Sequence, residues 1–403
     1  MITMKLSRLI VLVGVLLTSL VITQAASANP VIEQWQTEKG ARVFFVEAPE
    51  LPMVDIKIVF NAGSARDGKT PGIALFTNGM LEEGAGKLNV EQIATGFDDL
   101  GARFSSGSGS DMDTLSLRSL TQKGLLEPAL ELFATVTGRA TFPTKAVERV
   151  RDQILVSLTS QEQKPGTIAS KAFYASLYGE HPYASPGSGT KESVKAITRE
   201  ALIKFYRRYY VSSNAMVVIV GAVNRQRAEE IAEEVTRHLP EGRKVAKLMV
   251  PYPITAKEQR IEYDSSQTHI LLGQLGYRRG DGDKFALYLG NYILGGGGFV
   301  SRLTEEVREK RGLSYSVYSY FSPMQETGLF VMGLQTQNTK ADESLVVMHK
   351  TLNRFLKEGP TEKELIAAKK NITGGFPLKI DSNSDLMGYV QVIGFFGFPL
   401  DYL

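Results

Sequence analysis

Ser301-Arg-Leu-Thr-Glu-Glu-Val-Arg-Glu-Lys-Arg-Gly-Leu-Ser-Tyr-Ser-Val-Tyr-Ser-Tyr320 changes its period halfway along, and that change marks a helix running into a strand. Val300, Leu303 and Val307 recur at helical spacing, Lys310 and Arg311 suit the negative C-terminal end of a helix dipole, and Gly312 is placed as a C-cap. From Leu313 the period falls to two. Leu313, Tyr315, Val317, Ser319 and Phe321 then share one strand face, and Ser314, Ser316, Tyr318 and Tyr320 the other. Arg308 and Tyr315 stand on opposite sides of the corner, where a cation and a phenol can both donate to one substrate oxygen or carboxylate. The same spacing also suits an Arg308–Glu305 ion pair one turn back, with Tyr315 an ordinary sheet residue.

Working outward, an internal repeat sets the domain organisation. Ile56-Lys-Ile-Val-Phe-Asn-Ala-Gly parallels His269-Ile-Leu-Leu-Gly-Gln-Leu-Gly, Gly101-Ala-Arg-Phe-Ser answers Gly312-Leu-Ser-Tyr-Ser, and Phe142-Pro-Thr-Lys answers Gly359-Pro-Thr-Glu. The expected fold class is α+β: two homologous α/β sandwich domains, each an antiparallel sheet with helices on one face. Residues 29–240 form the first copy, 241–258 a linker and 259–403 the second. In the first copy 113–120 alternates as a strand and 144–160 reads as an amphipathic helix. The polar passage 161–190 reads as a loop around one short helix, and the Ser/Gly run 105–111 as a long hairpin connection. The second copy has no counterpart of the strand 215–220 or of the helix after it, so the chain reads as truncated at Leu403, with an exposed sheet edge.

Residues 1–28 carry Lys5 and Arg8, then an apolar run from Leu9 to Ile22 and a small-x-small site at Ala26-Ser27-Ala28, which is the pattern of a secretory signal peptide and implies a periplasmic protein. Without Lys5 and Arg8 the 46 basic residues become 44 against 43 acidic ones, a balance that argues against a nucleic-acid partner. No cysteine is present, which excludes disulfides, thiol nucleophiles and thiolate metal sites. The four histidines, His181, His238, His269 and His349, are scattered, with no pair at metal-ligand spacing. Gly295-Gly-Gly-Gly298 lacks the Lys-Ser/Thr that would make it a phosphate cradle and reads as a flexible loop under the Arg308 helix.

The string from Ser301 to Val317, with Glu180-His-Pro-Tyr and Phe205-Tyr-Arg-Arg-Tyr-Tyr in the first copy, resembles the pitrilysin/insulinase family of zinc peptidases, the inverzincins. The resemblance covers nearly all of the chain after residue 28. It implies that Arg308 and Tyr315 bind substrate and stabilise the tetrahedral intermediate, and that the glycine-rich loop, Gly296, Gly297 and Gly298, lies near substrate. It also implies a metal motif, His-x-x-Glu-His, on the helix after Pro71-Gly-Ile-Ala. Here Leu75 stands at the first histidine position, Asn78 at the general-base glutamate and Gly79 at the second histidine, and Ser157 replaces the distal glutamate. Zinc catalysis needs three protein ligands and an open position for water, which these residues do not supply.

The resemblance therefore implies a non-catalytic subunit of a heterodimeric zinc peptidase, with no cofactor in this chain, zinc in a homologous partner subunit, and a peptide as substrate. The alternative is a scaffold or peptide-binding module with no proteolytic role.

Overall fold

A computed structural model describes residues 30–402, so the expected signal peptide, residues 1–28, lies outside the described residues. The first half builds a six-stranded sheet, with strands in the order Glu33–Gln36, Arg42–Glu47, Ala215–Gly221, Met53–Phe60, Asp113–Leu120 and Arg103–Ser108, and the second a three-stranded sheet in the order Val317–Ser322, Leu329–Gln337 and Gln267–Leu275.

The first half opens with β1 (Glu33–Gln36), β2 (Arg42–Glu47) and β3 (Met53–Phe60), then the short helix α1 (Ile73–Gly79). A two-residue ladder of β4 (Gly84–Ala85) and β5 (Leu88–Asn89) leads into α2 (Val90–Asp99), and β6 (Arg103–Ser108) pairs with β7 (Asp113–Leu120). There follow α3 (Lys123–Gly138), α4 (Thr144–Glu162), α5 (Pro165–Tyr178), α6 (Lys191–Ala196) and α7 (Arg199–Tyr209), then β8 (Ala215–Gly221) and α8 (Arg225–Thr236). The sheet is antiparallel except where β8 runs parallel to β2. Residues 240–263 contain no helix or strand.

The second half repeats the pattern. β9 (Gln267–Leu275) is followed by α9 (Lys284–Asn291), a run of irregular helical turns, and the hairpin β10 (Val317–Ser322) with β11 (Leu329–Gln337). α10 (Ala341–Glu358), α11 (Glu362–Gly375) and α12 (Asn383–Phe396) complete it. The matched pairs are β3 with β9, β6 with β10, β7 with β11, α3 with α10 and α4 with α11, in the order the sequence repeat requires.

Strand composition explains the layering. Ala215, Val217 and Ile219 of β8 face the main core with Val43, Phe45, Ile56 and Ile58, while Met216, Val218 and Val220 face the opposite way and are equally buried. A central strand apolar on both faces needs cover on both. That second cover is α12: Met387, Val390 and Ile393 pack on Phe44, Val46, Val59 and Met216, and Arg42 donates to the Gly394 carbonyl at 2.6 Å. The exchange is reciprocal. Phe173, Tyr174, Leu177 and Tyr178 of α5 pack on Leu271, Leu275, Leu329 and Val331 of the second sheet. Each half thus lends the helix after its Pro-Thr helix to the other half, so the first sheet carries helices on both faces rather than on the one face expected.

Two further local expectations need correction. Residues 161–190 contain a 14-residue helix, α5, started by Pro165 at its first position, where the missing N–H costs nothing. The Ser/Gly run does not connect the hairpin but largely forms it: Ser105 to Ser108 pair with Ser116 to Asp113, and only 109–112 turn. An edge strand with one polar, solvated side tolerates such residues, which propensity alone does not anticipate.

Candidate functional site

α1 is fixed at its N-terminus by Asp67, whose two carboxylate oxygens accept from the Gly72 and Ala74 backbone N–H groups at 2.7 and 3.0 Å. Its inner face packs Ala74, Phe76 and Thr77 into the main core. Asn78 is 2% exposed and donates from Nδ2 to the Tyr210 hydroxyl at 3.3 Å, which in turn donates to Asp113 Oδ2 at 2.7 Å. Burial pushes the Asp113 carboxyl up to about 8, against hydrogen bonds from Ser108 and Tyr210 and with a further push from Asp67. Burial likewise raises Asp67 to about 7, against its two backbone hydrogen bonds. The polar chain from Asn78 to Asp113 therefore points into the protein, and a neutral amide at its outer end cannot accept a proton from water.

Leu75 and Gly79 are half-buried on the same helix, and a Cβ built on Gly79 meets no atom within 4 Å, so side-chain space there is open. Ser157 is exposed on α4, its hydroxyl accepting from Gln161 at 3.4 Å. Leu75, Asn78 and Gly79 on α1 and Ser157 on α4 offer no imidazole or carboxylate. Among the described residues no group of three or more His, Cys, Asp or Glu side chains is placed to hold a metal ion. The residues present do not fit zinc. His181 is a structural residue: it takes the Tyr183 N–H on Nδ1 and bonds the Met249 carbonyl through Nε2 at 2.7 Å, tying the connection between the halves to the first domain.

The corner in the second half is built differently from the pattern expected. The helix widens over Thr304–Glu309, with the Lys310 N–H bonded five residues back to Glu305 at 3.0 Å. Leu303 and Val307 form its apolar stripe, whereas Val300 is solvent-exposed and does not belong to it. Gly312 closes the helix at φ +57°, the left-handed geometry expected of a C-cap. The strand, however, begins at Val317 rather than Leu313. Ser314 Oγ lies 2.7 Å from both the Ser316 and Gln335 carbonyl oxygens, one of which takes its single proton, and accepts the Ser316 N–H at 3.2 Å, so side-chain bonds replace ladder pairing over 313–316. From Val317 onward the alternation holds, with Val317 and Ser319 buried and Tyr318 and Tyr320 outward. Tyr315 is freed from the sheet and 82% exposed.

Charge in this helix is partitioned sharply. Glu306 is buried and takes Lys310, Arg311 and Arg354 at 3.0, 2.6 and 3.0 Å. Burial would raise its carboxyl, but these three hydrogen bonds hold it down at about 2. Glu305 takes Lys310 at 2.8 Å. Arg302, from the Ser-Arg-Leu motif, is bidentate to Glu364 at 2.7 Å through both oxygens and holds Glu364 at about 2, anchoring the segment to the first turn of α11.

Arg308 stands outside both clusters. Its guanidinium makes one 3.4 Å contact with exposed Glu309, not Glu305, and lies 4.6 Å from the Tyr315 ring centre and 4.8 Å from that of Phe299. Structure thus brings Arg308 and Tyr315 together and adds Phe299, which sequence reasoning missed; its only signal was an aromatic directly after four glycines. Gly296, Gly297 and Gly298 lie not in a flexible loop but where a wide helical turn, Tyr292–Gly296, passes through Gly297 into a tight one, Gly298–Val300. A Cβ on Gly296 or Gly297 would crowd Asn291 or Tyr292.

Two sandwiched α/β halves, one with a depleted metal helix and the other with an Arg/Tyr corner, define a metallopeptidase-like protein. The family described as Insulinase (Peptidase family M16) matches residues 42–191, and that described as Peptidase M16 inactive domain matches 196–372; the chain belongs to the M16 insulinase family. A solved peptidase M16 inactive domain from Pseudomonas fluorescens is 45% identical with a TM-score of 0.90, covering 92% of this chain and 89% of that one. A protease from Helicobacter pylori, 20% identical over 91% of this chain and 90% of its own, shares the fold with a TM-score of 0.82. A Bacillus subtilis protein described as an uncharacterised zinc protease is 24% identical over 88% of this chain and 86% of its own.

Proposed function

We propose that this chain is the non-catalytic subunit of an exported heterodimeric zinc peptidase, supplying Arg308 and Tyr315 to peptide bound at the zinc of a homologous partner. The observation that carries this reading is the corner itself. Among Arg302, Arg308, Lys310 and Arg311, Arg308 has the longest carboxylate contact, 3.4 Å to exposed Glu309 against 2.6–2.8 Å for the others, and it is held within 5 Å of an exposed phenol. A guanidinium and a phenol hydroxyl facing solvent suit a peptide carbonyl whose oxygen gains charge during hydrolysis. Gly296, Gly297 and Gly298, ten to twelve residues before Arg308 in sequence, would let a peptide backbone approach closely. The division of labour follows from α1 and α4: Leu75, Asn78 and Gly79 on the first and Ser157 on the second leave the metal to the partner. The signal-like residues 1–28 favour the periplasm. No helix among the described residues is long and apolar enough to cross a membrane.

The test is purification from the native host of the tagged full-length chain with elemental analysis. The expected result is a stoichiometric complex with a second M16 chain carrying an intact metal motif, one zinc per pair and peptide hydrolysis. Separated from that partner, this chain should bind no stoichiometric zinc. Zinc bound tightly to the lone chain, or a lone chain that cleaves peptides, defeats the reading.

A further inference from the structure

Phe299 projects into solvent with 73% of its surface exposed, at the end of a run of glycines in which every other side chain is absent. An exposed phenylalanine contributes nothing to core burial, so packing does not account for it. Its ring instead lies 4.8 Å from the Arg308 guanidinium, which is also 4.6 Å from the ring of Tyr315. The rest of the helix shows what the alternative would be. Lys310, Arg311 and Arg302 are all held by carboxylates, which occupy their N–H donors and neutralise their charge. A ring does neither: it engages a guanidinium through the π-face and leaves the in-plane N–H groups open, and on Arg308 exposed Glu309 meets that edge at Nε with a long 3.4 Å contact.

We infer that Phe299 is a positioning residue for Arg308: with Tyr315 it holds the guanidinium by its faces, so that the N–H edge is presented to a peptide carbonyl or carboxylate. The inference rests on the proposed role of Arg308. The geometry behind it is local. Gly298 takes φ +61°, available to glycine without strain, and the turn Gly298–Val300 that follows sets the ring beside the helix. The Ser301 hydroxyl accepts the Thr304 N–H at 3.4 Å and bonds the Gly298 carbonyl at 2.8 Å, fixing the turn to the start of the Arg308 helix. Leu303, fully buried directly before the widened turn, anchors the other side.

Four variants of this chain, Phe299→Ala, Phe299→Leu, Phe299→Trp and Arg308→Ala, are assembled with the native partner and assayed on quenched fluorogenic peptides. The Arg308 side-chain Nε–H signal of the isolated wild-type chain and of each Phe299 variant is followed by NMR, with Arg308→Ala used to assign it by its absence. Phe299→Ala and Phe299→Leu should lower kcat/KM about three- to thirtyfold and remove the ring-current shift that Phe299 imposes on that signal, while Phe299→Trp restores both. Leucine keeps the bulk but lacks the π-face, so rescue by tryptophan alone separates stacking from packing. Loss of activity in Arg308→Ala with wild-type activity in Phe299→Leu overturns the inference and leaves the subunit role standing. Wild-type activity in Arg308→Ala overturns the subunit role and this inference together.

Discussion

α1 and the Arg308 corner stand at different stations of a duplicated fold, α1 after β3 and the corner just before β10, and one has turned inward and the other outward. At α1 the polar residue Asn78 is drawn into a buried chain through Tyr210 to Asp113, and the outward positions are a leucine and a glycine. At the corner the acidic residues are satisfied internally by Lys310, Arg311 and Arg354, which leaves Arg308, Tyr315 and Phe299 facing solvent. The same kinds of interaction, buried hydrogen bonds and charge clusters, silence one station and prepare the other. Polar groups that the protein does not bury against its own partners stay available to a ligand, and of these two stations it is the corner that keeps such groups at the surface.

The largest effect that would break this contrast lies in catalysis. In the assembled pair, Arg308→Ala combined with Tyr315→Phe should cut kcat by about a hundred- to a thousandfold, the scale of losing a donor to a developing oxyanion, without loss of assembly on size exclusion. Unchanged turnover would make the corner as silent as α1 and favour the scaffold alternative.

Next in size is the charge cluster behind the corner. Glu306→Gln leaves Lys310, Arg311 and Arg354 converging on a neutral amide, and should cost on the order of 3 kcal/mol in urea unfolding. Because the Glu306 carboxyl falls to about 2 in the folded chain, its contribution is present above the unfolded value of about 4.3 and is lost as pH drops toward 2. The wild-type chain should therefore lose stability over that acid window, and Glu306→Gln should lose less. Parallel pH curves for the two proteins would show that Glu306 does not organise the helix.

The smallest effect probes α1. Asp113 is raised to about 8 on folding, so its neutral form favours the folded state: the contribution is complete below about 4 and declines as pH rises toward 8. Asp113→Asn keeps an acceptor for the Tyr210 hydroxyl and removes the titration. Its melting temperature should fall less than wild type between pH 5 and 8, with the residual slope owed to Asp67. An unchanged slope would mean that the buried chain beneath α1 is not what the pH dependence reports.

Much of the architecture was legible because period and repeat are local signals. The strand Asp113–Leu120 has the bounds its alternation requires, and Gly312 takes the left-handed cap its position demands. The repeat paired strand with strand and helix with helix in the correct order. Misreadings fell where composition and structure diverge. Serine and glycine mark loops in general, yet 105–108 is an edge strand, and the polar passage 161–190 hides α5, whose apolar face is short and aromatic. At the corner, alternation from Leu313 was real in the sequence but overridden by the Ser314 hydroxyl, which bonds the backbone that would have joined the ladder.

The sequence by itself determined the duplication, the α+β class and the family, and it also determined that α1 carries no metal-binding chemistry, because a ligand's absence is written in the residue type. Tertiary structure alone decided which sheet each apolar helix covers, sending α12 to the first half and α5 to the second. It alone placed Phe299 against Arg308 and assigned Glu306 to three other cations. The physical reason is that hydrophobic burial is non-directional: an apolar stripe states that it must be covered but not by what. The partner of a charge is likewise fixed by which groups the completed fold brings within a few ångströms, and that depends on chain segments distant in sequence.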